Sequence, residues 1–123
     1  MTDTDDDARW PVLAARVADA KSAEDVVVLE VGPVMAICSH FVVCSAGNTR
    51  LVKTIADEVE AQLREAGGPK PVRVEGLDDL RWVLMDYGDF VVHVFLDETR
   101  RYYDLERLWS DVPRVDWREA APA

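Results

Sequence analysis

The stretch that decides the fold is residues 82–95, which read WVLMDYGDFVVHVF. Apolar residues rich in β-branched and aromatic side chains fill both halves, and Asp86-Tyr87-Gly88-Asp89 separates them. Because Gly88 can supply a positive φ angle, the pattern predicts two strands, over 81–85 and 90–95, joined by a hairpin. On the first strand, Trp82 alternates with Leu84 and Asp86 on one face.

More strands and helices flank this hairpin on both sides. Apolar runs predict three further strands at 26–31, 41–44 and 72–75. Helical spacing of apolar residues predicts helices over 9–23, 49–66 and 99–109, the second ending at Gly67-Gly68-Pro69 and the third with Tyr102 among its apolar positions. The order of elements predicts an α/β fold with a mixed five-stranded sheet flanked by helices.

Length and composition predict a single domain. The chain has 123 residues and a net charge of −10, with six prolines and six glycines, so it can bury an ordinary core. We expect residues 1–8 to be a disordered acidic tail, residues 9–110 to form the domain and residues 111–123 to be an irregular C-terminal tail. No apolar run approaches a membrane span, and the N-terminal aspartates do not fit a basic signal peptide, which predicts a cytoplasmic protein without membrane contact.

The acidic charge restricts the class of partner. Nucleic-acid affinity comes mostly from clustered lysine and arginine, so direct nucleic-acid recognition is disfavoured and a basic protein partner is favoured. The two cysteines, Cys38 and Cys44, lie in an apolar stretch without a CxxC motif and are predicted to be reduced thiols in the core.

An aromatic and acidic cluster in the second half predicts a surface for protein binding. A tryptophan and a tyrosine among carboxylates is a composition typical of interface hot spots. The predicted partner-binding residues are Glu75, Trp82, Leu84, Asp86, Tyr87, Asp89 and His93. The alternatives are that the acids form only a solvated rim and that His93 is a hydrogen-bonded histidine at the edge of the core. Trp10, Trp109 and Trp117 are predicted to pack at the ends of elements.

The sequence argues against an enzyme. A metal-dependent nucleotidyl transferase would need converging carboxylates, but Arg73 stands two residues before Glu75 on the strand that would carry them. Cys44 lies in an apolar strand, and two histidines, His40 and His93, are too few for a histidine-rich metal site. We therefore predict no catalytic residues, no metal and no cofactor. The alternative is a phosphate- or nucleotide-handling enzyme that uses the turn at Gly47 together with Asp86 and His93.

Taken together, the motifs closely resemble the ribosomal silencing factor family, also called the Iojap family. They are EG at 75–76, the hairpin at 82–95 and RRYYDLERLW at 100–109, preceded by AKSAEDV at 20–26 and FVVCS at 41–45. The resemblance covers roughly residues 14–110. Two departures stand out: Ser39-His40 precedes Phe41 where the family usually has an acid, and Ala46 replaces a glycine in the following turn.

The resemblance implies a fold and a function. The fold would be nucleotidyltransferase-like without catalytic carboxylates. The function would be that of a translation repressor, which binds the large ribosomal subunit through ribosomal protein L-fourteen and sterically blocks joining of the small subunit. The resemblance also implies a homodimer when the protein is free. A dimeric adaptor with a target other than the ribosome is a further alternative.

Overall fold

The computed structural model describes residues 3–32, 38–104, 107 and 109–118. Its helices are α1 (Asp3–Ala20), α2 (Thr49–Glu65) and α3 (Asp97–Tyr103), and its strands are β1 (Glu24–Glu30), β2 (His40–Ala46), β3 (Arg73–Glu75), β4 (Trp82–Asp86), β5 (Phe90–Leu96) and β6 (Arg114–Val115). The sheet order is β3-β4-β5-β2-β1-β6, with β2 and β5 parallel and the other neighbours antiparallel. The predicted mixed α/β sheet is confirmed, and the described residues form six strands rather than five.

The extra strand comes from the segment predicted to be an irregular C-terminal tail. Val115 of β6 pairs with Val28 of β1, and the Trp117 indole N–H donates a hydrogen bond to the Val26 carbonyl oxygen at 3.0 Å. Trp117 is buried. A two-residue strand is too short to show an alternating pattern, so the sequence could not reveal it. Residues 114–118 therefore belong to the folded domain, and residues 119–123 lie outside the described part of the chain.

The first helix begins earlier than predicted. The backbone of α1 is helical from Asp3 rather than from residue 9, inside the segment 1–8 that was predicted to be a disordered tail, and it ends at Ala20. Aspartates interact favourably with the positive end of a helix, so an acidic composition suits a helix start as well as a tail. Pro11, predicted in the first turn, consequently lies inside the helix.

Helices α1 and α2 cover one face of the sheet and form the main core with it. The predicted apolar stripe of α2 is confirmed: Val52, Ile55, Ala56, Val59 and Leu63 are all buried. Asn48 caps the start of this helix, since its side-chain oxygen accepts a hydrogen bond from the Leu51 N–H at 2.8 Å. Both cysteines are free and buried, as predicted, and burial raises the pKa of the Cys44 thiol to about 12.

The opposite face of the sheet, here called the open face, is only partly covered. A second apolar cluster lies on it, with Leu29, Val31, Cys38, Val43 and Phe95 at its centre. Trp109 packs edge-on against Phe41 there, with ring centroids 5.3 Å apart, as expected for a packing residue. Helix α3 packs on β5 and β2.

Helix α3 is anchored on one side and exposed on the other. Arg100 is buried and its guanidinium donates a hydrogen bond to the Ser45 hydroxyl at 3.3 Å. Tyr102, predicted to be an apolar position of a helix over 99–109, is instead 81% exposed. The predicted apolar positions Leu105 and Leu108 lie outside the described residues. The helix therefore presents tyrosines to solvent beside the open face.

Candidate functional site

The predicted partner-binding strand lies on the open face. Trp82, Leu84 and Asp86 of β4 point away from α1 and α2, as their alternation predicted, because Val83 and Met85 between them are buried in the main core. On the neighbouring strand, Leu84 is paired with His93. The open face therefore presents these β4 side chains beside His93 of β5.

Trp82 is held by three neighbours at the end of β4. Its indole N–H donates a hydrogen bond to Nδ1 of His93 at 3.0 Å. Its ring stacks on Phe95 with centroids 4.8 Å apart, and it lies 5.2 Å from the ring of Tyr103 on α3. Trp82 is half-buried, so part of the indole remains available to a partner.

His93 is a buried, hydrogen-bonded histidine on the same face. It is 6% exposed, and its ring packs against Phe41 with centroids 4.7 Å apart. Since Nδ1 accepts from Trp82, the neutral ring carries its proton on Nε2. Burial lowers the pKa of His93 to about 4, which keeps it neutral. The geometry supports the core interpretation of His93, not direct contact with a partner.

Tyr87 lies on the face of the sheet that α1 and α2 cover, not on the open face. It is 5% exposed, belongs to the main core and stacks on Phe90 with centroids 4.8 Å apart. Burial raises the pKa of its hydroxyl. The expectation that Tyr87 and Trp82 form one exposed aromatic surface is wrong, because an odd spacing of five residues places them on opposite faces of the hairpin.

The hairpin acids hold the turn rather than surround Trp82. The Asp86 carboxylate accepts a hydrogen bond from the Gly88 N–H at 2.9 Å. The carbonyl oxygen of Asp89 accepts from the Ser39 N–H at 2.7 Å and from its hydroxyl at 2.9 Å. Asp86 and Trp82 are at opposite ends of β4. Ser39, one of the two departures from the family pattern, thus ties the start of β2 to the hairpin.

Glu75 and Asp86 share one arginine on the edge of the sheet. The Arg73 guanidinium lies 2.8 Å from the Glu75 carboxylate and 3.6 Å from the Asp86 carboxylate. Glu75 pairs with Leu84 across β3 and β4 and remains exposed. The carboxylates that a metal site would need on this face are therefore paired with a cation.

Beside Trp82 lies a groove of about 530 Å³, here called the Trp82 groove. It is lined by Gly76, Asp79, Arg81 and Trp82 on the sheet side and by Glu98, Thr99, Tyr102 and Tyr103 of α3 on the other. Tyr103 is half exposed, like Leu77 in the adjoining turn. Three aromatic residues, two acidic residues and one arginine therefore line an open cleft.

Of the residues that line this groove, the predicted partner-binding set contains Trp82 and none of the others. Asp79 lies in the turn between β3 and β4, and Glu98, Tyr102 and Tyr103 lie on α3. Glu98 and Tyr102 are four residues apart on α3. This i, i+4 spacing is the sequence signal that places them on one face of the helix. The fold brings α3 to Trp82 because it follows β5 directly.

The N-terminus of α2 is capped by a side chain of the protein itself, and an acid lies near it. Asn48 caps it, and the Asp97 carboxylate lies 3.9 Å from where a Cβ on Gly47 would be. A phosphate placed at this turn would meet a like charge.

In the described part of the chain, no group of three histidine, cysteine, aspartate or glutamate side chains is placed to hold a metal ion. No helix among those residues is long and apolar enough to cross a membrane.

Comparison with known proteins gives consistent matches. The sequence model described as "Ribosomal silencing factor during starvation" matches residues 6–123. Ribosomal silencing factor RsfS of Bacillus subtilis is 40% identical over 85% of this chain and 87% of that protein. The mouse protein "Mitochondrial assembly of ribosomal large subunit protein 1" is 33% identical over 73% of this chain and 40% of its own length.

Solved structures agree with the sequence matches. A crystal structure of a Chromobacterium violaceum protein superposes with a TM-score of 0.75 at 36% identity, covering 80% of this chain and 81% of that one. One from Bacillus halodurans gives a TM-score of 0.72 at 39% identity, covering 85% and 93%. The family match spans nearly the whole chain, and the fold agrees with it. The chain therefore belongs to the family of ribosomal silencing factors.

Proposed function

We propose that this protein is a translation repressor that binds the large ribosomal subunit through ribosomal protein L-fourteen and sterically blocks joining of the small subunit. Family membership supports association with the ribosome and regulation of translation. The observation that supports a docking role for the described surface is the Trp82 groove, an open cleft of exposed aromatic rings beside carboxylates.

The chemistry of the groove suits a basic protein segment. Half-buried Trp82 and exposed Tyr102 offer apolar ring surface, which is the type of anchor that dominates interface energies. Asp79 and Glu98 outnumber Arg81 in the lining, so the cleft favours a lysine or arginine of the partner. The net charge of −10 disfavours bare ribosomal RNA and makes an exposed basic ribosomal protein the better docking point.

A steric block of subunit joining requires no catalytic step. A rigid domain seated on the face that the small subunit approaches excludes it by occupancy alone. The pairing of Arg73 with Glu75 and Asp86 and the Asp97 carboxylate beside Gly47 both argue against the alternative of a nucleotidyltransferase-like, phosphate-handling enzyme. We infer a cytoplasmic factor without catalytic activity.

The test is sedimentation of the protein with isolated large subunits. We expect the wild type to cosediment, and Trp82→Ala to weaken binding by at least ~2 kcal/mol, a typical hot-spot loss. Because Trp82 also packs on Phe95, Trp82→Phe is the matched variant that keeps a ring in place. Wild-type affinity in Trp82→Ala would exclude the groove as the docking site, and no binding by the wild type would favour an adaptor with another target.

We also propose that the free protein is a homodimer that hides part of this surface, as the exposed rings of Tyr102 and Tyr103 beside Trp82 are costly to leave in water. Light scattering at micromolar concentration should give twice the chain mass. A mass near 13.8 kDa would show that the free protein is a monomer.

A further inference from the structure

The contact with Trp82 indicates a role for His93, although His93 is too buried to contact a partner itself. His93 is buried, and its two ring nitrogens differ: Nδ1 accepts the indole N–H of Trp82 at 3.0 Å, and Nε2 has no hydrogen-bond partner among the residues that the structure describes. The hydrogen bond to Trp82 is thus the polar contact that the structure gives this ring.

The histidine ring is itself fixed by its surroundings. It packs edge-on against Phe41 and lies parallel to Phe95, with centroids 4.7 and 6.1 Å away. Its backbone belongs to β5, which is paired on both sides, with Leu84 of β4 and with Val43 of β2. An acceptor placed in the middle of a sheet provides a rigid reference point for the indole.

We propose that His93 is a positioning residue for partner docking: it holds the Trp82 indole in the orientation that lines the groove and takes up its one N–H donor. This inference rests on the proposed function of the groove. A tryptophan has one hydrogen-bond donor and no acceptor, so a partner meets Trp82 as a purely apolar and π surface. Complementary groups are therefore aliphatic or cationic side chains, not hydrogen-bond acceptors.

The substitutions that test this are a matched pair of similar size. His93→Asn keeps an acceptor near the position of Nδ1, and His93→Leu removes it. The first readout is the indole N–H resonance of Trp82 in the free protein, identified by its absence from the spectrum of Trp82→Phe. In His93→Leu we expect the chemical shift of this resonance to change and its slow exchange with solvent to be lost. In His93→Asn both should stay close to those of the wild type.

The second readout is affinity for isolated large subunits. Because a hydrogen bond is lost, affinity for large subunits should decrease about two- to tenfold in His93→Leu. In His93→Asn the affinity should stay close to that of the wild type. In a Trp82→Phe background, which has no N–H to position, His93→Leu should have little further effect. That non-additivity separates positioning from a general loss of structure.

Two results would overturn the inference. One is an unchanged Trp82 indole resonance in His93→Leu, which would show that the hydrogen bond does not orient the ring. The other is an equal loss of affinity with and without the Trp82 N–H, which would show a merely structural role. Failure of the wild type to bind large subunits would instead contradict the proposed function, and the resonance of the free protein would still decide whether His93 orients Trp82.

Discussion

At the scale of single residues, alternation along a strand decided which predictions held. Trp82, Leu84 and Asp86 lie on one face of β4, as predicted, because period-two alternation survives in paired strands. Tyr87 was misjudged because residues of a turn look exposed in the sequence, whereas its ring stacks on Phe90 in the core. The burial of a polar aromatic residue depends on packing between distant elements, which a local pattern does not contain.

His93 predicts a specific pH dependence of stability. Burial lowers its pKa from 6.5 to about 4, so below pH 6.5 the unfolded chain binds a proton that the folded protein resists. The free energy of unfolding should therefore fall as the pH drops from 6.5 towards 4, by roughly 3 kcal/mol at most from this residue. Denaturant unfolding at several pH values measures it.

The control for this prediction is His93→Asn, which cannot titrate. The other ionisable groups are the same in both proteins, so the difference between the two pH profiles isolates His93. The profile of the variant should be shallower between pH 6.5 and 4. Parallel profiles would mean that His93 is not buried as a neutral ring.

At the scale of elements, the turn between β3 and β4 shapes the groove. Gly76 has a φ angle of +91°, and a Cβ there would overlap the carbonyl oxygen of Trp82. The sequence indicated strands on both sides of this turn but gave no sign of the close approach, because that contact depends on how the turn folds back. Helix α3 was similarly predicted in part: its existence followed from spacing, while the exposure of Tyr102 depended on how Arg100 anchors it.

This turn gives a matched pair of glycine substitutions. Gly76→Ala should lower the free energy of unfolding by about 3 kcal/mol or more, since strain at positive φ adds to a steric overlap with backbone. Gly88 has a similar φ angle of +89° but open space around it, so Gly88→Ala should cost only about 1 kcal/mol. Urea unfolding compares them, and equal losses would contradict the close contact of Gly76 with Trp82.

At the scale of the whole molecule, charge should control the rate of docking. Glu98 lines the Trp82 groove, whereas Glu65 is exposed at the end of α2, which packs on the other face of the sheet. Each glutamate-to-lysine change alters the net charge equally, so the pair separates local from global electrostatics.

We expect Glu98→Lys to slow association with large subunits more than Glu65→Lys does. The difference should shrink as salt rises, because screening acts over about 8 Å at physiological ionic strength. Stopped-flow or surface binding at several salt concentrations measures the rates. Equal rates for the two variants at low salt would contradict docking through the acidic groove.

The central claim is that occupancy of the large subunit, not catalysis, prevents subunit joining. Reassociation of isolated ribosomal subunits, followed by light scattering as this protein is titrated in, tests it most directly. We predict inhibition that saturates near one copy per large subunit, needs no nucleotide and is weakened by Trp82→Ala. Inhibition at far lower ratios that grows with time, or subunit joining that proceeds normally with the large subunit saturated, would contradict it.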